Sequence, residues 1–333
     1  MLRYFPCTRW LACRVLSCLV LGLTAASVHA QTGFPAKPVK FIVPFATGGA
    51  ADIAGRILAE KLTEAWKQQV VVENRVGAGG SIGVEAVHKA PADGYTLLVT
   101  ANSHAVNVGL YDKLPYDLVA DFAPITLIGN SSLALVAHPR LPANTLPELV
   151  KLLRANPGKY TYASCGNGTV HHLAMELFKF QTKMFVVHVP YRGCSPATVD
   201  AVGGQIDMAL VNLGIALLHI KAGRLKAMAL TNDMRTPAAP EIQTMREAGV
   251  PELANYEVGN WLALAAPAGT PPEVIEKVGA DSKRVLALPD VRQRMSGAGV
   301  DAVSSTPEEQ LNLLKADIAK FKRIIEFAGI KPG

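Results

Sequence analysis

Lys40-Phe-Ile-Val-Pro-Phe-Ala-Thr-Gly-Gly-Ala-Ala-Asp-Ile-Ala-Gly-Arg56 carries an apolar strand through a Gly-Gly turn directly into a helix. A strand that hands over to a helix in this way leaves the first helical N–H groups unpaired, with the positive end of the helix dipole behind them. Both converge on whatever sits beyond the strand, which makes the junction an anion seat. The stretch has neither the Gly-Lys-Ser/Thr of a P-loop nor the G-x-G-x-x-G of a dinucleotide site. It therefore suits a smaller anion such as a carboxylate.

Beyond this junction, short apolar runs alternate with amphipathic helical stretches, the pattern of an α/β protein with mostly parallel sheets flanked by helices. Strands are expected at 39–44, 70–73, 95–100, 123–128, 133–137, 160–164, 186–189, 208–211, 227–230 and 262–265. Thr145, Thr270 and Thr306 each precede a glutamate by three residues, which predicts N-caps. The last of them opens a long helix with Leu311, Leu314, Ile318, Phe321 and Ile325 on one apolar face. No repeat or low-complexity linker divides a chain of two-domain length. The expected solution is one lobe, 31–130 with 256–333, interrupted by a second, 131–255. Crossover stretches over 127–139 and 255–266 would then leave a cleft that closes by hinge motion.

Residues 1–30 combine Arg3, Arg9 and Arg14 with an apolar run over 15–26 and Val28-His29-Ala30, a secretory signal with cleavage expected after Ala30. The apolar run is short of the roughly 20 residues that a spanning helix needs. The formal charge of the whole chain is +6, and removing three arginines leaves 30 basic against 27 acidic side chains, or +3. There is no basic block interleaved with aromatics, so nucleic acid is not an expected partner. Of five cysteines only Cys165 and Cys194 lie outside the signal, and two cysteines in an exported protein favour a disulfide.

Ligands of open α/β sheets bind outside the C-terminal ends of strands, and five such ends are rich in small polar residues. The first offers Gly48 and Gly49 for a close-approaching turn, with Asp52 serving either the helix dipole or the ligand. The second offers Ser103 and Asn107 as donors to a carboxylate, with His104 donating or holding the loop. The third, Gly166, Asn167, Gly168 and Thr169, opens another helix toward the cleft. The fourth holds Tyr191, Arg192 and Gly193, and Arg192 is either a bidentate carboxylate clamp or half of a structural ion pair. Asn212 stands at the fifth.

These residues also match a known family. Pro44-Phe45 with Gly48-Gly49 and Asp52, Asn74-Arg75 with Gly77-Ala78-Gly79-Gly80, and Ala90-Pro-Ala-Asp-Gly-Tyr-Thr-Leu97 resemble the substrate-binding receptors of tripartite tricarboxylate transporters, the Bug or TctC family. The resemblance continues through Tyr162-Ala-Ser164, Gly166-Asn-Gly-Thr169, His172-Leu173, Val189-Pro-Tyr-Arg-Gly193, Gly203-Gly-Gln-Ile-Asp207, Ile220-Lys-Ala-Gly223 and Ala266-Pro-Ala-Gly-Thr-Pro271. It implies a two-lobed periplasmic binding protein of type II-like architecture, monomeric and without cofactor. Such a protein closes on a small carboxylate and delivers it to membrane transporter subunits, and Phe45 and Ser164 join its site.

The chain departs from the family pattern at Leu210-Val-Asn-Leu-Gly-Ile215, where Val211 takes the place of an acidic residue, and at Cys165 and Cys194, which replace small residues. The first departure favours a carboxylate that lacks an amino group. A disulfide at the second would brace the mouth of the site. Two other readings stand beside this one: service to a sensor kinase or chemoreceptor, and an exported thiol hydrolase using Cys165 with His172. No metal-spaced Cys/His motif appears.

Overall fold

A computed structural model of the chain describes residues 33–331; the signal expected over 1–30 and its cleavage point lie outside them. The described strands form two sheets, ordered β11-β4-β10-β3-β1-β2 and β7-β6-β8-β5-β9. In the first, β1 (Val39–Val43) runs parallel to β2 (Val70–Asn74) and β3 (Thr96–Ala101). The strand β10 (Asn260–Pro267) is antiparallel to both β3 and β4 (Phe122–Ser131), and β11 (Val300–Asp301) closes the edge on β4. In the second sheet β6 (Thr161–Ser164) is parallel to β7 (Val187–Pro190) and β8 (Met208–Asn212). The strand β5 (Leu133–Ala137) is antiparallel to β8 and β9 (Lys226–Leu230).

All ten strands expected from the sequence are present, and β11, a two-residue edge strand too short for a periodic signal, is the addition. The sheets are mostly parallel in strand direction, but each contains a reversed strand where the chain changes sheets. The chain leaves the first sheet at the end of β4, passes Ser132 and starts the second with β5; it returns through β10. Both β5 and β10 are buried along their whole length, which explains their near-continuous apolar sequences, since central strands covered on both faces have no solvated side to alternate with. Their registers fix where the passages lie. Asn260 pairs with Ser131, and Leu133 pairs with Asn212 at the C-terminal end of β8. Leu262 stands opposite Ala101, the last residue of β3. The passages therefore lie at the same ends of the sheets as the C-termini of the parallel strands.

Helices follow those C-termini: α1 (Ala50–Trp66), α2 (Ser81–His88) and α3 (Ser103–Leu110) in the first sheet's part of the chain. Then come α4 (Leu146–Ala155), α5 (Val170–Thr182), α6 (Cys194–Val202) and α7 (Leu213–Lys221), and after the return α8 (Pro272–Leu286), α9 (Pro289–Gly297) and α10 (Pro307–Ala328). On α10 the expected apolar face is present: Phe321 and Ile325 are buried, with Leu314 and Ile318 packed beside them, in a core that also holds Leu133, Leu135, Leu173 and Phe178. Burial of a side chain of this size contributes about 1.5 to 3 kcal/mol.

Two of the three expected caps form. The Thr145 hydroxyl accepts from the Glu148 N–H, and Thr306 with Glu309 makes a complete capping box. Thr270 does not cap. The N-cap position of α8 falls on Pro271, followed by Pro272 at the start of the helix, and the Thr270 hydroxyl turns back to donate to the Pro267 carbonyl at 2.8 Å. Replacing Thr306 by Ala removes the hydroxyl that accepts from the Glu309 N–H, leaving the main-chain bond to the Glu309 carboxylate, and should lower stability by about 1 kcal/mol. Urea unfolding of Thr306→Ala measures this, and a midpoint equal to that of the wild type would count against the cap.

Candidate functional site

The loops that leave β1, β2, β3, β6, β7 and β8 surround a cleft of about 550 Å³ between the two sheets. From the first sheet come Phe45, Ala46, Gly49, Ala50 and Ala51, the 76–80 loop, Ala101, Ser103 and Tyr111. From the second come Cys165, Gly166, Asn167, Thr169, His171, residues 190–194 and Asn212, while Asn260 and Leu262 are supplied by the return strand β10. The opposing loops touch. A Cβ on Gly193 would stand 2.6 Å from Ala46 Cβ, one on Gly79 would be 3.0 Å from the Asn167 carbonyl oxygen, and the Val170 N–H donates to Ser103 Oγ at 3.1 Å.

On the first sheet's side the Gly48-Gly49 turn is held by Asp52. Its buried carboxylate accepts from the Gly48 N–H (2.9 Å), Arg56 Nε (3.0 Å) and Asn74 Nδ2 (2.8 Å), and Asn74 also donates to the Phe45 carbonyl at 3.0 Å. Burial pushes the Asp52 pKa up, but the bonds from Arg56, Gly48 and Asn74 outweigh it and hold the carboxyl below its usual range. Gly48 adopts φ +81°, a left-handed conformation that strains any side chain. Fixed this way, α1 starts without a side-chain cap, and its first residues Ala50 and Ala51 present main-chain N–H groups at the cleft wall.

On the second sheet's side the expected disulfide joins Cys165 to Cys194, ties the β6–α5 loop to the start of α6, and lines the cleft. The helix α6 also begins without a side-chain cap, at Gly193 (φ +129°). The start of α5, by contrast, is largely used internally: Thr169 accepts from the His172 N–H, and Ser103 takes the Val170 N–H. The helix α7 also lacks a side-chain cap, at Asn212, but its Leu213 N–H is taken by the Ser132 carbonyl, so the uncapped start that the Arg192 loop brings to the cleft is that of α6. Arg192 beside it is exposed and, among the described residues, makes no ion pair or side-chain hydrogen bond. The hydroxyl of Tyr191 donates to Asp200 at 2.6 Å, and burial together with that carboxylate pushes its pKa up to about 12.

Ten of the sixteen residues expected at the site line the cleft: Phe45, Gly49, Ser103, Gly166, Asn167, Thr169, Tyr191, Arg192, Gly193 and Asn212. The other six stand behind the wall. Gly48 and Asp52 shape the turn. His104 is fully buried under Phe45, stacked on it at 5.2 Å, with Nδ1 on Thr100 Oγ1 at 2.8 Å. The Asn107 amide donates to the Gly79 carbonyl at 3.0 Å, and a Cβ on Gly168 would meet Asn107 Oδ1 at 2.5 Å. Ser164 accepts from the Gly166 N–H and bonds His188 at 2.7 Å. Val211 is also wholly buried and outside the wall.

The thiol hydrolase reading loses its parts, since the Cys165 sulfur is in the disulfide and the His172 ring stacks on His188 at 4.5 Å. Residues missed from sequence are Tyr111, Val76, Gly77, Ala78, Gly79, Gly80, Asn260 and Leu262. The glycine run after strand 70–73 was a usable signal. Asn260 had none, because it opens a strand that reads as apolar.

Among the described residues, no acidic side chain lines the cleft. Burial lowers the pKa of His171 to about 4, so its ring is neutral at pH 7, and lowers that of His104 to about 3. His104 binds its proton near 6.5 in the unfolded chain and near 3 in the fold. Its contribution to stability is therefore complete above pH 6.5 and is lost as pH falls from 6.5 toward 3, by about 1.4 kcal/mol per pH unit. Urea unfolding across that range should show the decline, shallower in His104→Gln; superimposable profiles would refute the assignment.

The comparisons with known proteins agree with this architecture. The model of the tripartite tricarboxylate transporter family receptor matches residues 54–330. BugT of Bordetella pertussis is 35% identical, with 92% of this chain and 94% of that protein aligned. A Rhodopseudomonas palustris protein solved with adipate superposes with a TM-score of 0.86 at 30% identity, covering 90% of this chain and 100% of its own. MatC from the same organism, solved with bound malate, gives 0.82 at 30% identity over 88% and 100%. With the family model matched over residues 54–330 and relatives aligned over nine-tenths of the chain, whose two sheets enclose a glycine-rich cleft without a described acidic side chain, the chain belongs to the Bug/TctC family of periplasmic solute-binding receptors.

Proposed function

We propose that this receptor captures a small carboxylate that lacks an amino group and delivers it to a tripartite tricarboxylate-type membrane transporter. The observation that carries the reading is the charge pattern of the cleft: the uncapped starts of α1 and α6 and the unpaired Arg192 face it, and no described acidic side chain does. Main-chain N–H groups at helix starts favour anions, and a guanidinium binds a carboxylate in bidentate fashion. A ligand ammonium would meet no counter-charge. The adipate and malate bound to the two Rhodopseudomonas neighbours are both dicarboxylates, which fits one carboxylate at the α1 turn and a second at Arg192. The lobes, 31–130 with 256–333 and 131–255, rotate about the two passages and shut the Tyr191, Arg192 and Gly193 loop against Ala46. The protein works as a monomer in the periplasm once the signal is cleaved after Ala30, and it needs no cofactor.

A thermal-shift screen of the mature protein against mono-, di- and tricarboxylates, aromatic acids, amides and cations tests the ligand class. Carboxylates should raise the melting temperature, and the idea is sunk if only neutral compounds or cations do. Arg192→Ala should weaken the best carboxylate about ten- to a hundredfold, the scale of one charge-assisted hydrogen bond, with the melting temperature of the free protein unchanged. Gly193→Ala places a Cβ 2.6 Å from that of Ala46 at φ +129°. It should hold the lobes apart, seen as a larger radius of gyration by small-angle scattering and weaker binding. A wild-type radius and affinity would show that the contact does not govern closure.

A further inference from the structure

The disulfide of the cleft wall has a third donor beside it. Cys165 directly follows β6, Cys194 opens α6, and His171 is the second residue of α5. The two sulfurs and an imidazole nitrogen all lie within 4.8 Å of one another, although 6 and 23 residues separate His171 from the two cysteines. His171 Nε2 is 3.4 Å from Cys194 Sγ, and Asn212 Oδ1 is 3.2 Å from the same sulfur. Cys194 and His171 are 7% and 6% exposed, while Cys165 is half-buried and reachable from the cleft. A neutral imidazole and two thiolates are the donor set of zinc and other thiophilic cations.

We propose that reduction of the Cys165–Cys194 disulfide converts this corner of the cleft into a binding site for one zinc-type cation, held by Cys165, Cys194 and His171. A small dithiol of the cell or buffer is the reductant. Its two sulfurs close into a disulfide, and it gives two electrons and two protons to the cysteine pair, whose S–S bond breaks to two thiols. The cation then displaces both thiol protons and takes the His171 lone pair. Asn212 Oδ1 or a water completes the fourth position.

A tetrahedral site with metal–sulfur bonds of about 2.3 Å sets its two sulfurs roughly 3.8 Å apart, so the cysteine side chains and the loops that carry them must move apart. Gly166 and Gly193, each adjacent to one cysteine and each at a positive φ, are the points where they do so. The site requires nothing of the carboxylate reading, and neither stands or falls with the other.

The test uses the full mature chain, reduced with dithiothreitol, desalted under argon and titrated with Zn²⁺ against a chromophoric chelator. A parallel titration with Co²⁺ reads thiolate-to-cobalt absorption. One equivalent of Zn²⁺ should bind to the reduced protein and none to the disulfide form, with the cobalt absorption appearing only after reduction. His171→Ala, with two free thiols verified by thiol titration, should weaken Zn²⁺ about tenfold or more, and Cys165→Ser should abolish the cobalt signal. Equal binding by the disulfide form would overturn the proposal, as would wild-type affinity in His171→Ala. So would a reduced protein whose circular dichroism is native but which binds less than one equivalent. If reduction itself unfolds the chain, no folded site exists and the proposal is lost.

Discussion

Everything at the cleft depends on where the chain changes sheets. Both passages lie at the ends of the sheets where the parallel strands terminate, so β5 and β10 start at the cleft and run away from it, while β1, β3, β6 and β8 run toward it. One constraint on register thereby places six strand ends, with the helices that follow them, around one volume. It also makes the cleft floor the same backbone as the outgoing passage between the sheets. The Asn212 amide donates to Ser131 Oγ at 3.0 Å and the Leu213 N–H to the Ser132 carbonyl at 2.8 Å, so the end of β8 is bonded to the outgoing passage. In the closure proposed above, a ligand on the floor touches the segment that bends, which is how binding would favour one arrangement of the sheets over another.

The walls are built in two layers. Main-chain N–H groups and small residues face the cleft, and the side chains with strong hydrogen-bonding capacity stand behind them. Asp52 with Arg56 and Asn74 sets the α1 turn, Asn107 holds the glycine loop, and Ser164 with His188 supports Gly166. Each hidden group fixes a stretch of main chain, and most of its own hydrogen-bonding capacity is met inside the protein, Asn107 Oδ1 being the exception. Unpaired buried polar groups are costly, and this layer leaves most of the main-chain donors aimed without leaving the carboxylate of Asp52 exposed to the ligand.

That layering also marks what the sequence could and could not reveal. Strand and helix order was legible because apolar runs and caps are local, and the strand ends named loops that line the cleft because the parallel strands all end there. The face that each loop residue presents was not local. Ser103 and His104 are neighbours, yet one lines the cleft and the other lies buried beneath Phe45, because a step of one residue on a helix turns the side chain by about 100°. Thr270 read as a cap and is not one, since two prolines after it shift the helix start by a residue. Asn260 was invisible because its neighbours are apolar strand residues. The cluster of Cys165, His171 and Cys194 was legible only in part, because it takes the parallel pairing of β6 with β7 to bring the segment after β6, which carries Cys165 and His171, beside Cys194 at the start of α6.

The main-chain layer has a consequence for how this family can change. A side-chain donor can be deleted by one codon change, but an N–H of Ala50 or Ala51 survives every substitution except proline. In the function proposed above, the part of the site that holds the anion is therefore nearly immune to point mutation, while Arg192, Tyr111 and Asn260, whose side chains line the wall, are open to drift. Such a receptor can exchange one solute for another over short evolutionary distances without passing through an ancestor that has lost its hold on negative charge.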